Sequence, residues 1–164
     1  MKTAGGDVHA SRLEGEFDLR TSGGDVELSE LTGNVEARTS GGDVTLRRLK
    51  GDASLGTSGG DVRIEGASGH VDAHTSGGDV DVAFARGNAR GGEIETSGGS
   101  IEVALDPAVN LSLDVSASGG ELTTELPLKV TSRINPSSIQ GTLGSGGETL
   151  RLRTSGGDIY LRRL

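Results

Sequence analysis

The sequence predicts an all-β fold, a β-solenoid with 18-residue coils, on three observations: a fixed repeat, apolar residues alternating within it, and a composition that fits little else. Thr21-Ser22-Gly23-Gly24-Asp25-Val26 recurs unchanged from Thr39, Thr57 and Thr75, and Thr3-Ala4-Gly5-Gly6-Asp7-Val8 differs from it at one position. The spacing is 18 residues each time, and a fixed period of this size marks stacked repeats. Only 32% of the 164 residues are hydrophobic and 2% aromatic, too few for an ordinary globular core. The 29 glycines belong to turns, because each Gly inside a helix costs roughly 1 kcal/mol relative to Ala.

Within a unit, Gly-Gly-Asp opens a strand with every second residue apolar, as in Val26-Glu27-Leu28 and Val44-Thr45-Leu46. A second glycine, at Gly15, Gly33, Gly51 and Gly69, leads into another alternating run such as Asn34-Val35-Glu36-Ala37-Arg38 or His70-Val71-Asp72-Ala73-His74. Two short strands and two glycine turns describe one coil, in which each strand pairs with its equivalent one coil on, about 4.8 Å away. The columns Val26, Val44, Val62, Val80 and Leu28, Leu46, Ile64, Val82 then fill a thin core without aromatics.

The whole chain, 1–164, reads as one domain, with regular repeats over 1–87 and longer, less regular coils over 88–164 that supply a C-terminal cap. Asp106-Pro107, Leu126-Pro127 and Asn135-Pro136 interrupt pairing there, since proline has no amide donor. Residues 111–115 and 149–153 alternate like the rest and are expected to be strands, with the solenoid continuing to Leu164. No N-terminal cap is visible. Open solenoid ends expose strand edges, so end-to-end self-association is an expectation.

Sixteen Lys and Arg against 24 Asp and Glu give a net charge of -8, which repels a phosphate backbone and leaves nucleic acid without an electrostatic basis for binding. The absence of cysteine removes disulfides and thiolate metal sites. No stretch approaches the roughly 20 apolar residues of a membrane span. Met1-Lys2-Thr3 enters the repeat with no signal-peptide pattern, so the chain is expected to be soluble and to be a piece of a longer protein.

Candidate chemistry reduces to a few ladders. Asp7, Asp25, Asp43, Asp61 and Asp79 form a column in which neighbours about 4.8 Å apart repel by roughly 0.9 kcal/mol in a water-like dielectric, so it needs turn amides or a cation. The structural reading has each Asp accept N–H groups in its own Gly-Gly turn, with Ser22, Ser40, Ser58 and Ser76 acting similarly. The rival reading is a calcium ladder on the same five aspartates, but calcium takes about six to eight oxygens, and the Gly-Gly-x-Gly-x-Asp pattern of calcium-binding β-rolls is missing. The Gly-Gly-Asp triplet of nucleotide cyclases occurs once in an α/β fold, whereas here it recurs with coil spacing.

Thr21, Thr39, Thr57 and Thr75 lack the Thr-x-Thr spacing of an ice-binding face and are read as hydrogen-bonding at the turn edge. His70 and His74 share one strand face, and His9 stands apart; two ligands are too few for a metal. Arg47-Arg48-Leu49-Lys50 and Arg162-Arg163 read as solvated turns. The outward residues Glu27, Thr45, Arg63 and Asp81 change chemistry at each coil, which suits cross-strand charge pairing.

A polysaccharide-active enzyme, the rival class that β-helices host, would need positioned carboxylates or a calcium cluster, long loops and aromatic platforms. Phe17, Phe84 and Tyr160 are the only aromatics, and the best loop candidate, residues 131–141, carries Arg133 as its only charge. No catalytic, cofactor-binding or metal-ligating residue and no cofactor is assigned, and the chain is read as not an enzyme. A self-assembling cytoplasmic scaffold is the alternative to a binding or structural module.

The Ser-Gly-Gly-Asp-Val ladder, followed by Ala117-Ser118-Gly119-Gly120-Glu121, Leu126-Pro127-Leu128 and Leu150-Arg151-Leu152-Arg153-Thr154-Ser155-Gly156-Gly157-Asp158-Ile159, resembles the bacterial adhesin-type family of Toastrack domains over nearly the whole chain. The resemblance implies a right-handed, single-stranded β-helix found in cell-envelope proteins, often behind a signal peptide or membrane anchor. It implies a periplasmic or extracellular location, a role in adhesion or envelope-stress sensing, and a protein or envelope ligand as partner. The family brings no catalytic residues to carry over.

Overall fold

The computed structural model describes residues 2–135 and 137–164. In chain order its strands are β1 (Val8–Ser11), β2 (Phe17–Arg20), β3 (Val26–Thr32), β4 (Val35–Arg38), β5 (Val44–Lys50), β6 (Ala53–Gly56), β7 (Val62–Ala67), β8 (Val71–Thr75) and β9 (Val80–Phe84). They continue with β10 (Gly92–Thr96), β11 (Ile101–Leu105), β12 (Leu111–Ala117), β13 (Leu122–Thr124), β14 (Lys129–Asn135), β15 (Ser138–Leu143), β16 (Thr149–Thr154) and β17 (Ile159–Arg163). The described residues contain no helix, and so no helix long and apolar enough to cross a membrane.

The strands form two sheets. In the first, β1, β3, β5, β7, β9 and β11 lie side by side, and in the second β2, β4, β6, β8 and β10 do. All these pairs are parallel, and through the first four coils the register advances by 18 residues, Val8 to Val26 to Val44 to Val62 to Val80 in the first sheet and Phe17 to Val35 to Ala53 to Val71 in the second. Each coil is thus one strand from each sheet, as the alternation predicts. The inward columns meet between the sheets: Val26, Val44, Val62, Val80, Ile101 and Ile159 are all at most 1% exposed. Burying each such side chain contributes on the order of 1.5–3 kcal/mol, which lets aliphatic ladders replace an aromatic core.

Between β8 and β10 the register step becomes 21 residues, Val71 to Gly92. The extra residues fall at the turn after Phe84, where buried Asn88 donates through Nδ2 to the Ala67 and Gly69 carbonyls at 2.7 and 3.0 Å and accepts the Arg90 N–H at 2.8 Å. One amide side chain thus ties the lengthened turn to two carbonyls of the coil before it and to its own Arg90 N–H.

The C-terminal part departs from the expected order. The first sheet runs β9-β11-β17-β13, and the second runs β8-β10-β16-β12-β15-β14. The last coil of the sequence, β16 and β17, therefore lies between the coil of β10 and β11 and the coil of β12 and β13, pairing in parallel on both sides. The solenoid does not end at Leu164 in stacking order. It ends on β12 and β13, over which β14 and β15 fold as an antiparallel hairpin along the edge of β12. Residues 131–135 and 138–141 of the expected loop lie in the strands of this hairpin, so they are paired β-structure and not an irregular loop. Pro127 lies in the link between β13 and β14, and Pro107 between β11 and β12; Pro136 lies outside the described residues.

The link from β15 back to β16 runs over the start of β12. Ser145 N–H donates to Asn110 Oδ1 at 2.9 Å, the Ser112 hydroxyl donates to the Gly147 carbonyl at 3.1 Å, and Ser112 N–H donates to the Glu148 carbonyl at 2.9 Å. Gly144 and Gly146 have φ of 65° and 78°, the left-handed region that glycine enters without strain.

Candidate functional site

The repeat corner uses its polar atoms between coils. Each corner threonine points inward and is buried, from Thr21 at 6% exposure to Thr75 at 0%. Its hydroxyl donates to a glycine carbonyl of the coil before: Thr21 to Gly6, Thr39 to Gly24, Thr57 to Gly42, Thr75 to Gly60, at 2.8–3.0 Å. The same oxygen accepts the N–H three residues on, as Gly60 N–H to Thr57 Oγ1 at 3.3 Å. Burial removes any flat hydroxyl array from the surface.

The aspartate column is joined head to tail. Asp25 N–H donates to Asp7 Oδ1, Asp43 to Asp25, Asp61 to Asp43 and Asp79 to Asp61, at 2.8–3.0 Å. The acceptor is used by the next coil, not by the carboxylate's own turn as expected, and the threonines rather than the exposed serines Ser22, Ser40, Ser58 and Ser76 share the work. The partial positive charge of each amide offsets the repulsion along the column. The column continues in stacking order, not chain order: Ser100 N–H donates to Asp79, Asp158 N–H to the Ser100 hydroxyl, and Glu121 N–H to Asp158 Oδ1.

At its far end Asp158 also accepts the Tyr160 hydroxyl on Oδ2 at 3.0 Å. The Glu121 amide and then this hydroxyl hold the Asp158 carboxyl below its ordinary range, because both favour the ionised form. The same bond to Asp158 raises the Tyr160 phenol.

At the opposite edge of the first sheet, Arg12, Glu30 and Arg48 share a left-handed backbone, with φ of 55°, 54° and 57°. Glu30 bridges its neighbours, to Arg12 Nε at 3.1 Å and Arg48 at 2.9 Å. Gly66 takes this place in the following coil with φ of 75°. Arg47-Arg48-Leu49-Lys50 is consequently part of β5, with Leu49 in the core, and Arg162-Arg163 is part of β17; neither run is a turn.

The outer face of the second sheet carries most of the remaining chemistry. Small side chains at Ser54 and Gly56 leave a shallow depression of about 520 Å³ bordered by Arg38, Asp72, His74 and Glu95. Its charges are engaged with neighbours: Arg38 with Glu36 at 3.2 Å, Asp72 with His70 Nε2 at 3.1 Å, Glu95 with Arg153 at 3.7 Å. His70 and His74 do share this face, while His9 lies on the first sheet beside Glu27 at 3.3 Å. The described residues contain no group of three or more His, Cys, Asp or Glu placed to hold a metal ion. Outward columns pair charges across coils as expected, for example Arg63 with Asp81 at 3.6 Å.

Sequence reasoning missed the pairing that places the last coil. Arg151 contacts Glu93 at 3.4 Å and Asp114 at 3.3 Å, Arg153 contacts Glu95, and Arg162 contacts Glu102. Glu93 and then Asp114 raise the Arg151 guanidinium above its ordinary range. A signal was present: the outward positions Glu93, Glu95 and Glu102 are acidic on β10 and β11, and Arg151, Arg153 and Arg162 are basic on β16 and β17.

The model of one protein family, described as Toastrack DUF4097, matches residues 48–162, well over half of the chain and less than the nearly complete span of the resemblance. No curated protein and no solved structure matches.

Proposed function

We propose that this chain, which belongs to the Toastrack DUF4097 family, serves as a non-enzymatic binding or structural module of a bacterial cell envelope, in an adhesin-like or envelope-sensing role. The observation that supports this most is the use of the repeat's own polar groups: its threonine hydroxyls and aspartate carboxylates bond the coils to one another. A reacting centre requires a nucleophile or acid–base pair set apart by its surroundings. Here the recurring carboxylates share one structural task, and the carboxylates around the Ser54 depression are engaged by neighbours, Asp72 by the His70 imidazole and Glu95 by Arg153. What remains for function is a stiff rod with outward columns whose chemistry varies from coil to coil, a form suited to presenting a surface.

The envelope placement follows from the family resemblance, an analogy at the level of fold. It is tested by fractionating cells that produce the gene product and shaving them with protease: recovery with envelope markers is expected, and recovery only with cytosolic markers would overturn the reading. The scaffold alternative ranks second because the hairpin of β14 and β15 lies across the C-terminal end, where a parallel coil of a following molecule would have to join.

A further inference from the structure

The first coil keeps a feature that only stacking requires. In each later regular coil the second corner glycine lies so close to the coil before it that an added Cβ would run into that coil's glycine carbonyl: Gly24 into Gly6, Gly42 into Gly24, Gly60 into Gly42, Gly78 into Gly60. Gly6 holds the same place in the first coil. Its backbone is not left-handed, and its Cβ would meet only the Thr3 hydroxyl, at 3.6 Å.

Three further observations agree with the glycine. The N–H that each later Asp gives to the side chain below has, at Asp7, no such acceptor among the described residues, whereas Asp25 to Asp79 all find one. Leu13 is 45% exposed although Leu31 and Leu49 of its column are 1% exposed. Lys2 forms a parallel bridge to Arg20, and Thr3 N–H donates to the Arg20 carbonyl at 2.9 Å, repeating the offset that relates Arg20 to Arg38. Lys2 thus holds the place relative to the end of β2 that the end of β2 holds relative to β4, and the rest of the β2 edge is open.

We propose that the N-terminal end face, formed by the edges of β1 and β2 with Gly6 and Leu13, is a docking surface for one further coil of this same repeat, parallel and in the 18-residue register. The surface continues the interface that every other coil pair already makes, and it does not depend on the envelope reading.

The test fuses a copy of residues 21–38 ahead of Thr3, so that its final arginine replaces Lys2, and compares it with a fusion carrying the same residues scrambled. The ordered fusion is expected to melt roughly 5 °C or more above the scrambled one and to protect the amides of β1 and β2 from hydrogen exchange. Gly6→Ala is expected to leave the melt of the original chain unchanged and to abolish the gain in the ordered fusion. An ordered fusion that melts with or below its control, or a Gly6→Ala change that is neutral in both proteins, would overturn the proposal. So would sedimentation of the original chain as a dimer whose β1 and β2 amides are already protected, which would assign the face to a second copy.

Discussion

The two glycines of a repeat corner look identical in sequence and serve different ends. A Cβ on Gly59 would make only ordinary contacts at 3.7 Å or more, whereas one on Gly60 would overlap the Gly42 carbonyl and the Asp43 carboxylate. Gly60→Ala is therefore expected to cost at least about 2 kcal/mol and Gly59→Ala to stay within about 0.5 kcal/mol, as read by denaturant unfolding of the two variants. Charge at single residues gives a second expectation. Because Asp158 has its carboxyl held low, the stability it brings is complete above the ordinary carboxylate range and is lost as pH falls through its depressed value. Melting temperatures taken at neutral pH and near pH 3 should fall less steeply for Asp158→Asn than for the parent; equal slopes would show that the carboxylate contributes nothing to acid sensitivity. At this scale the sequence made the aspartate and threonine ladders visible, but not their partners. A repeat gives the column a residue belongs to, while only the coil spacing and side-chain direction decide that Asp61 serves Asp79 and that Thr75 turns inward.

Strands were legible wherever apolar residues alternate: β3, β5, β7 and the shorter β4, β6 and β8 begin at the positions the glycines mark. Stacking order was not, because residues 150–161 carry the same alternation as any other coil and would fit several slots. Register within the slot is helped by charge, with arginines of β16 and β17 facing glutamates of β10 and β11. Each pair is half-exposed and individually weak, because solvent screens it, so single alanine variants should do little. Reversing both arginines of a face tests the match: Arg151→Glu with Arg153→Glu places like charges beside Glu93, Glu95 and Asp114 and is expected to lower the melting temperature by a few degrees. Adding Glu93→Arg and Glu95→Arg should restore most of that loss, a coupling that a four-residue thermodynamic cycle reads directly. The hairpin of β14 and β15 was the least legible element, since its registers shift twice, between Val130 and Ser132 and between Arg133 and Asn135. Such irregularities blur the period-two signal, and at a sheet edge they also discourage further strand addition.

For the whole molecule, the thin core has a topological consequence. At about 4.8 Å per strand, the eight strands of the first sheet stack over a length on the order of 35 Å, with the last-made coil seated as the next-to-last layer. Removal of that coil would leave β10 and β11 open on one edge, β12 held only by β15 and β13 without its one described partner, so the C-terminal strands close the structure instead of extending it. The chain contains no cysteine, which makes this order open to a clean cross-linking experiment. Glu95 is in register with Arg153, and Arg153 in turn with Ser116, all on the outer face of the second sheet. Cysteines at 95 and 153 are therefore one strand spacing apart, within disulfide reach, while cysteines at 95 and 116 are two spacings, roughly 9–10 Å, apart. Mild oxidation of the Glu95→Cys/Arg153→Cys variant should give an intramolecular disulfide, and the Glu95→Cys/Ser116→Cys variant should remain reduced. A disulfide in the second variant and none in the first would mean that the coils stack in chain order, and would contradict the inserted C-terminal coil.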